Sequence, residues 1–266
     1  MAISHARFFS LAIILCLPSV SFTYDGNPVT NAVKDIEYMR SAPARLSDDT
    51  RAVYLAGSLL GAGAIIYSFD GPIRHIAHNN KTSSMDDIAR QAEKIGSGGY
   101  ELAMLGAFAG VGYAFKNDQL KYTAMSAAES FIAANAIGTV VKYSVGRVRP
   151  YGEEGKRAFR PFTFKTAHTS FPSGHTTSAF SVASVFAARY DSPWVGIAAY
   201  GAASATAIQR IYSDKHWASD VFWGAVLGTV TGRAVLRRSD GCSVKSAYLI
   251  PVFGPDFSGA LAMVRF

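Results

Sequence analysis

The sequence predicts an all-α fold, a helical bundle of about six core helices, closed by a short C-terminal β-hairpin. Three observations carry that expectation. Six apolar stretches of helical length, rich in Ala and Gly, recur between residues 52 and 235. Two of the connections between them are short and polar. Only after Lys245 does the pattern shorten to strand-length runs.

Taken in order, the expected core helices are Ala52–Phe69, Leu102–Phe115, Thr123–Val141, Thr176–Ala188, Trp194–Gln209 and Ser219–Val235. Ser47, Asp48 and Asp49 supply an N-terminal start signal for the first. Small residues let the helices approach closely. The connections Lys116–Lys121 and Arg189–Pro193 suit antiparallel neighbours. Within the polar segment 71–99, the run DDIARQAEKI (Asp86–Ile95) reads as a surface helix. The tail SAYLIPVFGPDFSGALAMVRF holds two apolar runs around Gly254-Pro255-Asp256, a hairpin pattern.

A short basic start at Arg7 precedes an apolar run from Phe8 to Leu17, broken by Pro18 and followed by Ser19 and Ser21. The run is too short to cross a bilayer and reads as a secretory signal peptide over residues 1–21. A polar leader (22–50), the helical domain (51–240) and the tail (241–266) complete the expected organisation. Leu15 stands before Cys16 where a lipoprotein signal needs a small residue. Cleavage after Ser21 would leave Cys242 as the sole cysteine, so no intramolecular disulfide is expected.

Hydrophobic residues make up 49% of the 266 and charged residues 17%, with mean hydropathy +0.14. The formal net charge of +7 suits an anionic substrate or surface. No dense Lys/Arg run alternates with aromatics, so nucleic acid is not an expected partner. A cleaved signal followed by six spans would leave the reactive ends of stretches three and five on the cytoplasmic side. Glu101, Glu129, Lys142 and Asp220 in or beside these helices would also be costly in lipid. A water-soluble bundle in the periplasm or cell envelope is therefore expected; an inner-membrane protein with its site facing the periplasm is the alternative.

Three polar segments interrupt the apolar helices. In Lys142-Tyr-Ser-Val-Gly-Arg147-Val-Arg149-Pro150, Lys142 and Arg149 are spaced to share one helical face, a clamp for a dianion, with Pro150 ending the helix. In Phe171-Pro172-Ser173-Gly174-His175-Thr176-Thr177, a turn opens directly into an apolar helix whose first N–H groups and dipole favour an anion. Ser173 adds a hydroxyl donor, Gly174 permits close backbone approach, and His175 adds a proton that titrates near neutrality. In Gln209-Arg210-Ile-Tyr-Ser-Asp-Lys-His216-Trp-Ala-Ser-Asp220, the i,i+4 spacing would let Asp220 accept from one imidazole nitrogen of His216. That would fix the tautomer, free the other nitrogen as nucleophile and raise the imidazole pKa. Arg210 offers a planar fork to two phosphate oxygens. Each segment alone also has an ordinary structural explanation: a solvated basic face, a serine N-cap, a surface His–Asp pair.

Together the segments resemble the type 2 phosphatidic acid phosphatase (PAP2) superfamily, which includes bacterial class A acid phosphatases and vanadium haloperoxidases. The pattern K-x6-R-P, P-S-G-H, S-R-x5-H-x3-D stands here as Lys142…Arg149-Pro150, Pro172-Ser173-Gly174-His175 and Arg210…His216…Asp220, in that order. Gln209 departs from the usual Ser, which bears on fine positioning more than on mechanism. The resemblance implies that His216 attacks phosphorus and forms a phosphohistidine. It implies that His175 protonates the leaving alcohol and then activates water, while Lys142, Arg149, Arg210, Ser173 and the Gly174 N–H hold the phosphoryl oxygens. No cofactor is implied, and His75 and His78 lack carboxylates placed to complete a metal site.

A phosphorylated small molecule or a lipid phosphate is the expected substrate. The loop Tyr151–Phe171 carries Arg157, Phe159, Arg160, Phe162, Phe164 and Lys165, a mixed basic and aromatic lid suited to an amphiphilic phosphate. Two other readings stand beside it: vanadate-dependent oxidation on the same residues, and a non-catalytic envelope protein. The second draws on alternating Ala260, Ala262 and Val264 before Phe266, which resembles the terminal strand of an outer-membrane barrel.

Overall fold

The computed structural model describes residues 50–95, 97–239, 246–254 and 257–265. The expected signal peptide, the leader before Thr50, Cys242 and the Pro255-Asp256 turn lie outside the described residues.

Among the described residues the helices are α1 (Thr50–Asn79), α2 (Ser83–Ile95), α3 (Gly98–Ala114), α4 (Asp118–Val145), α5 (Gly174–Arg189), α6 (Pro193–Tyr212) and α7 (Ala218–Ser239). Strands β1 (Ser246–Gly254) and β2 (Phe257–Arg265) pair antiparallel, with Ser246 opposite Arg265 and Gly254 opposite Phe257. The all-α bundle with its hairpin tail is therefore present, and each expected core stretch is one helix. The run Asp86–Ile95 forms most of α2.

Helix α5 is the centre of the bundle, packing on α4, α6 and α7. One apolar cluster joins Leu105, Ala127, Phe131, Val182, Val185 and Leu236 from α3, α4, α5 and α7. A second joins Ala179, Ala183 and Ala203 between α5 and α6. The rest of the buried face of α5 is hydroxylic, and most of these hydroxyls return to backbone carbonyls one turn back, while Ser178 also pairs with Asn135 of α4. Thr177 Oγ1 donates to the Ser173 carbonyl at 2.9 Å, Ser181 Oγ to that of Ser178 at 2.8 Å, and Ser184 Oγ to that of Ser181 at 2.9 Å. Bonding of this kind keeps polar atoms satisfied without bulky side chains.

That economy lets α7 come very close. A Cβ at Gly228 would stand 2.3 Å from the Thr177 carbonyl oxygen, and one at Gly224 would stand 2.8 Å from that of Ser173. Glycine at these positions, one turn apart, removes the side chain that would hold the two backbones apart.

Helix α4 ends differently from the sequence expectation. It stops at Val145, with Gly146 in the left-handed region at φ 61°, rather than running on to Pro150. A Cβ on Gly146 would fall 2.1 Å from the Arg160 carbonyl oxygen, so only glycine fits this turn. Lys142 and Arg149 are consequently not on one helical face; the turn, not the helical period, brings them together.

Large apolar side chains cover much of the outside: Leu55, Leu60 and Ile65 on α1, Phe108 and Val111 on α3, Ile137 and Val140 on α4, Trp194 and Ile197 on α6. Among the described residues α4 alone is long and apolar enough to cross a membrane by length and composition.

Gly228→Ala forces backbone apart at the α5–α7 contact and is expected to destabilise the protein by about 1–3 kcal/mol. Gly201→Ala on α6, where a Cβ meets nothing within 4 Å, is expected to raise stability slightly through helix propensity. Thermal unfolding of the two variants checks the opposite signs.

Candidate active site

Helices α4 to α7 alternate in direction, so the C-terminal ends of α4 and α6 and the N-terminal ends of α5 and α7 gather at one end of the bundle. Each end carries one of the segments picked out in the sequence. The connection 146–173 folds back across them. Its backbone is pinned where Arg149 N donates to the Ala167 carbonyl at 2.8 Å and Ser170 N to that of Arg147 at 3.0 Å. Ser173 N donates to the Asp220 carbonyl at 3.0 Å, which ties the start of α5 to α7.

His216 is buried, 3% exposed, in the turn between α6 and α7. Its Nδ1 lies 2.7 Å from the Ser170 carbonyl oxygen. A carbonyl only accepts, so Nδ1 carries the proton and Nε2 keeps its lone pair. Burial, and then the charges of Lys142 and Arg149, hold the His216 pKa well below its ordinary value; the Ser170 carbonyl opposes them.

Asp220 is fully buried but does not hold His216 as the spacing predicted. His216 precedes α7, so the pair is not a helical i,i+4 pair. The Asp220 carboxylate instead accepts from Ser170 Oγ at 2.5 Å, from Trp217 N at 3.0 Å and from Arg147 Nη1 at 2.5 Å. Ser170 thus stands between the two, its carbonyl on His216 and its hydroxyl on Asp220. The expected upward shift of His216 is overturned for the same reason: no carboxylate touches the imidazole.

The cations fall into two kinds. Arg147 is saturated: besides Asp220 it donates to Ser219 Oγ at 2.8 Å, to Asp70 Oδ2 at 2.8 Å and to the Lys156 carbonyl. Burial works against its charge, but Asp220 and Asp70 outweigh it and hold the pKa above the ordinary arginine value. Arg149 and Arg210 are unsaturated, each with a buried Nε–H that has no partner among the described residues. Arg149 reaches Thr169 Oγ1 through Nη2 at 3.3 Å, and Arg210, 3% exposed, reaches Glu93 Oε1 of α2 through Nη2 at 2.8 Å. Burial, with Arg210 nearby, draws the Arg149 pKa down, while Tyr151 opposes. The Arg210 hydrogen bond holds the Glu93 carboxyl below its usual range.

Lys142 Nζ donates to the Pro172 carbonyl and lies against Gly174, whose Cβ would stand 3.7 Å from it. Ser173 is fully buried at the N-cap of α5 and accepts from Thr176 Oγ1 at 2.9 Å, with its own proton available to an acceptor. His175, on the first turn of α5, lies within electrostatic reach of Arg210, Glu93, Lys142 and Arg149. Gln209 turns to Ser213 Oγ at 2.8 Å, leaving its Oε1 buried without a partner. The structure therefore brings together Lys142, Arg149, Ser173, Gly174, His175, Arg210, His216 and Asp220. No group of three His, Cys, Asp or Glu side chains fit to hold a metal ion occurs among the described residues.

Sequence reading missed Asp70, Glu93, Arg147 and Ser170. Asp70, alone in an apolar run of α1 yet 1% exposed, carried the one usable signal, since a lone acid inside such a helix is costly without a partner.

Residues 123–241 match the family model described as the PAP2 superfamily. Over 220 residues the chain is 29% identical to a lipid A 1-phosphatase of Porphyromonas gingivalis, covering 75% of this chain and 46% of that protein. It is 29% identical over 99 residues to a lipid A 1-phosphatase of Rhizobium johnstonii, covering 36% of this chain and 40% of that one. The chain thus spans less than half the length of these relatives. Among solved structures it is similar to a transmembrane PAP2 type phosphatidylglycerolphosphate phosphatase from Bacillus subtilis. That match has a TM-score of 0.53 at 21% identity and covers 70% of this chain and 96% of that one. The ordered motifs and their convergence at one end of the bundle agree with the family match: over residues 123–241 the chain is similar to the PAP2 superfamily.

Proposed function

We propose that this chain is a phosphatase that removes phosphate from a lipid through a phosphohistidine intermediate, without a metal ion. The observation that carries the reading is the pair of buried guanidinium Nε–H donors, on Arg149 and Arg210, beside a histidine whose free nitrogen is Nε2. Buried donors without partners are costly, and a phosphoryl group supplies acceptors of matching geometry.

The steps follow from the residues. His216 Nε2 attacks phosphorus in line; a P–N bond forms as the P–O bond to the leaving group breaks, and His175 gives its proton to the departing oxygen. His175 then takes a proton from water, whose oxygen attacks phosphorus and breaks the P–N bond, releasing phosphate. Lys142, Arg149, Arg210 and the N-terminus of α5 stabilise the equatorial oxygens throughout, the electrostatic task that dominates phosphoryl transfer.

Lipid as the carrier of the phosphate is supported from two sides. The rim of the site exposes Phe162 (74%) and Phe164 (83%) among the basic Arg157 and Lys165, and the flanks of α1, α3, α4 and α6 are apolar. We therefore propose a bilayer around the helical body, in place of the water-soluble bundle expected from the sequence. Of the charges that argued against it, Glu101 and Asp220 are buried, Lys142 sits at the site end and Glu129 is half-buried. We place the site outside the cytoplasm. That orientation puts Thr50, at the far end of α1, on the cytoplasmic side.

His216→Ala is expected to lower phosphate release from a lipid phosphate in detergent micelles by roughly 10⁴-fold or more and to abolish a trapped, alkali-stable phosphoenzyme. Wild type should be unaffected by EDTA; loss restored by a divalent cation would sink the metal-free mechanism. The pH profile of kcat/KM offers a second check. The lowered pKa keeps His216 neutral as pH falls, so no loss assignable to it should occur near the ordinary histidine value of about 6.5. An acid limb centred there that survives His175→Asn would overturn this. Orientation is read by labelling whole cells with an impermeant maleimide. Lys165→Cys at the site end should react from outside and Asn117→Cys at the α3–α4 turn should not.

A further inference from the structure

Arg147 and Asp70 belong to none of the phosphate-holding groups, yet they are among the most buried charges in the molecule, at 2% and 1% exposure. Asp70 lies far along α1, away from every sequence motif. It is nonetheless joined to the site by three hydrogen bonds: from Arg147 Nη2 at 2.8 Å, from Ser219 N at 2.8 Å and from Ser219 Oγ at 2.7 Å. The Arg147 fork spans Asp70 on one side and Asp220 on the other, and its Cζ lies 5.4 Å from the centre of the Trp217 ring and 5.1 Å from that of Tyr67. Asp220 holds the Ser170 hydroxyl, and the Ser170 carbonyl holds His216 Nδ1. One continuous chain of contacts thus runs from α1 to the imidazole: Asp70, Arg147, Asp220, Ser170, His216.

We propose that Arg147, anchored by Asp70, is a positioning residue for the nucleophile: it fixes Asp220, and through Ser170 it selects the His216 tautomer that leaves Nε2 free. This rests on the phosphohistidine reading above. The contrast within one segment supports it. Arg149, two residues on, keeps an unpartnered Nε–H, whereas both terminal nitrogens and Nε of Arg147 are bonded to protein. One arginine is built to bind, the other to hold. Only a planar fork reaches Asp70, Ser219 and Asp220 together, so lysine would keep the charge and lose the geometry.

The test uses the full chain in detergent micelles. Arg147→Lys is expected to lower kcat by about 10- to 100-fold, the scale of a small misplacement of a reacting group. KM and orthovanadate affinity should stay within about threefold, since neither phosphate clamp is touched. Histidine-selective ¹⁵N spectra should show His216 protonated at Nδ1 in wild type and as mixed tautomers in the variant. Arg147→Met leaves both Asp70 and Asp220 without their counter-ion and should unfold at lower temperature; pairing it with Asp70→Leu removes one of the two stranded charges and should restore part of the melting temperature but not kcat. Arg147→Lys with kcat within threefold of wild type would overturn the proposal. So would recovery of kcat in the double variant, which would make Arg147 only the counter-ion of Asp70. Should the wild type release no phosphate, the phosphatase reading fails, and the spectra alone decide: an unchanged His216 tautomer in Arg147→Lys sinks the positioning role.

Discussion

A guanidinium removed from water must place five N–H groups on acceptors, and its charge must be met nearby. Arg147 meets both demands through Asp70, Asp220, Ser219 and the Lys156 carbonyl. The consequence is architectural. Asp70 brings α1, Asp220 and Ser219 bring α7, and Arg147 itself brings the connection after α4, so three elements distant in sequence are fixed to one rigid plane. The turn at Gly146 is what delivers Arg147 there, because the left-handed residue swings the chain off the α4 axis. Removing one member would strand a buried charge, which is why such a bridge holds geometry more strictly than apolar contacts do.

Against that saturated arginine, the proposed phosphate clamp is incomplete. Arg149, Arg210 and Lys142 bring like charges close to one another. The Arg149 pKa falls because burial and a neighbouring guanidinium both disfavour its charged form. A phosphoryl dianion relieves that repulsion and the missing hydrogen bonds together, most fully where charge spreads over equatorial oxygens in the transition state. The low pKa of His216 has the same origin. Burial first, and then the same cations, keep His216 unprotonated, so in the proposed reaction one arrangement would serve both binding and activation.

The bundle, the surface helix and the three polar segments that gather at one end were legible in the sequence, because helix length, Ala/Gly content and the three motifs are local signals. What was not legible depended on where the chain bends. Lys142 and Arg149 were placed on one face by counting residues as helical, and Gly146 broke that count. His216 and Asp220 were paired by the same arithmetic, but the helix begins only at Ala218, and the carboxylate turns to Arg147 and Ser170 instead. Asp70 stands 150 residues from Asp220 in sequence, and no periodicity links them. Glu93 sits in a helix read as surface, and its contact with Arg210 depends on how α2 lies over the site end.

The packing between α5 and α7 explains how such a polar site stays ordered within an apolar body. In the proposed bilayer the hydrophobic effect would give little reason for one helix to prefer another, so close contact between backbones would have to supply the cohesion. Gly224 and Gly228 allow that contact against Ser173 and Thr177, and the inward hydroxyls of α5 cost no unsatisfied polar atoms. Gly224 stands directly against the Ser173 carbonyl. The approach of the two helices therefore also sets the distance between the anion-binding start of α5 and the Asp220 turn of α7. The bond from Ser173 N to the Asp220 carbonyl locks that distance at the site itself. The same small residues that hold the body together thus decide how far the proposed nucleophile stands from the donors proposed to receive the phosphate.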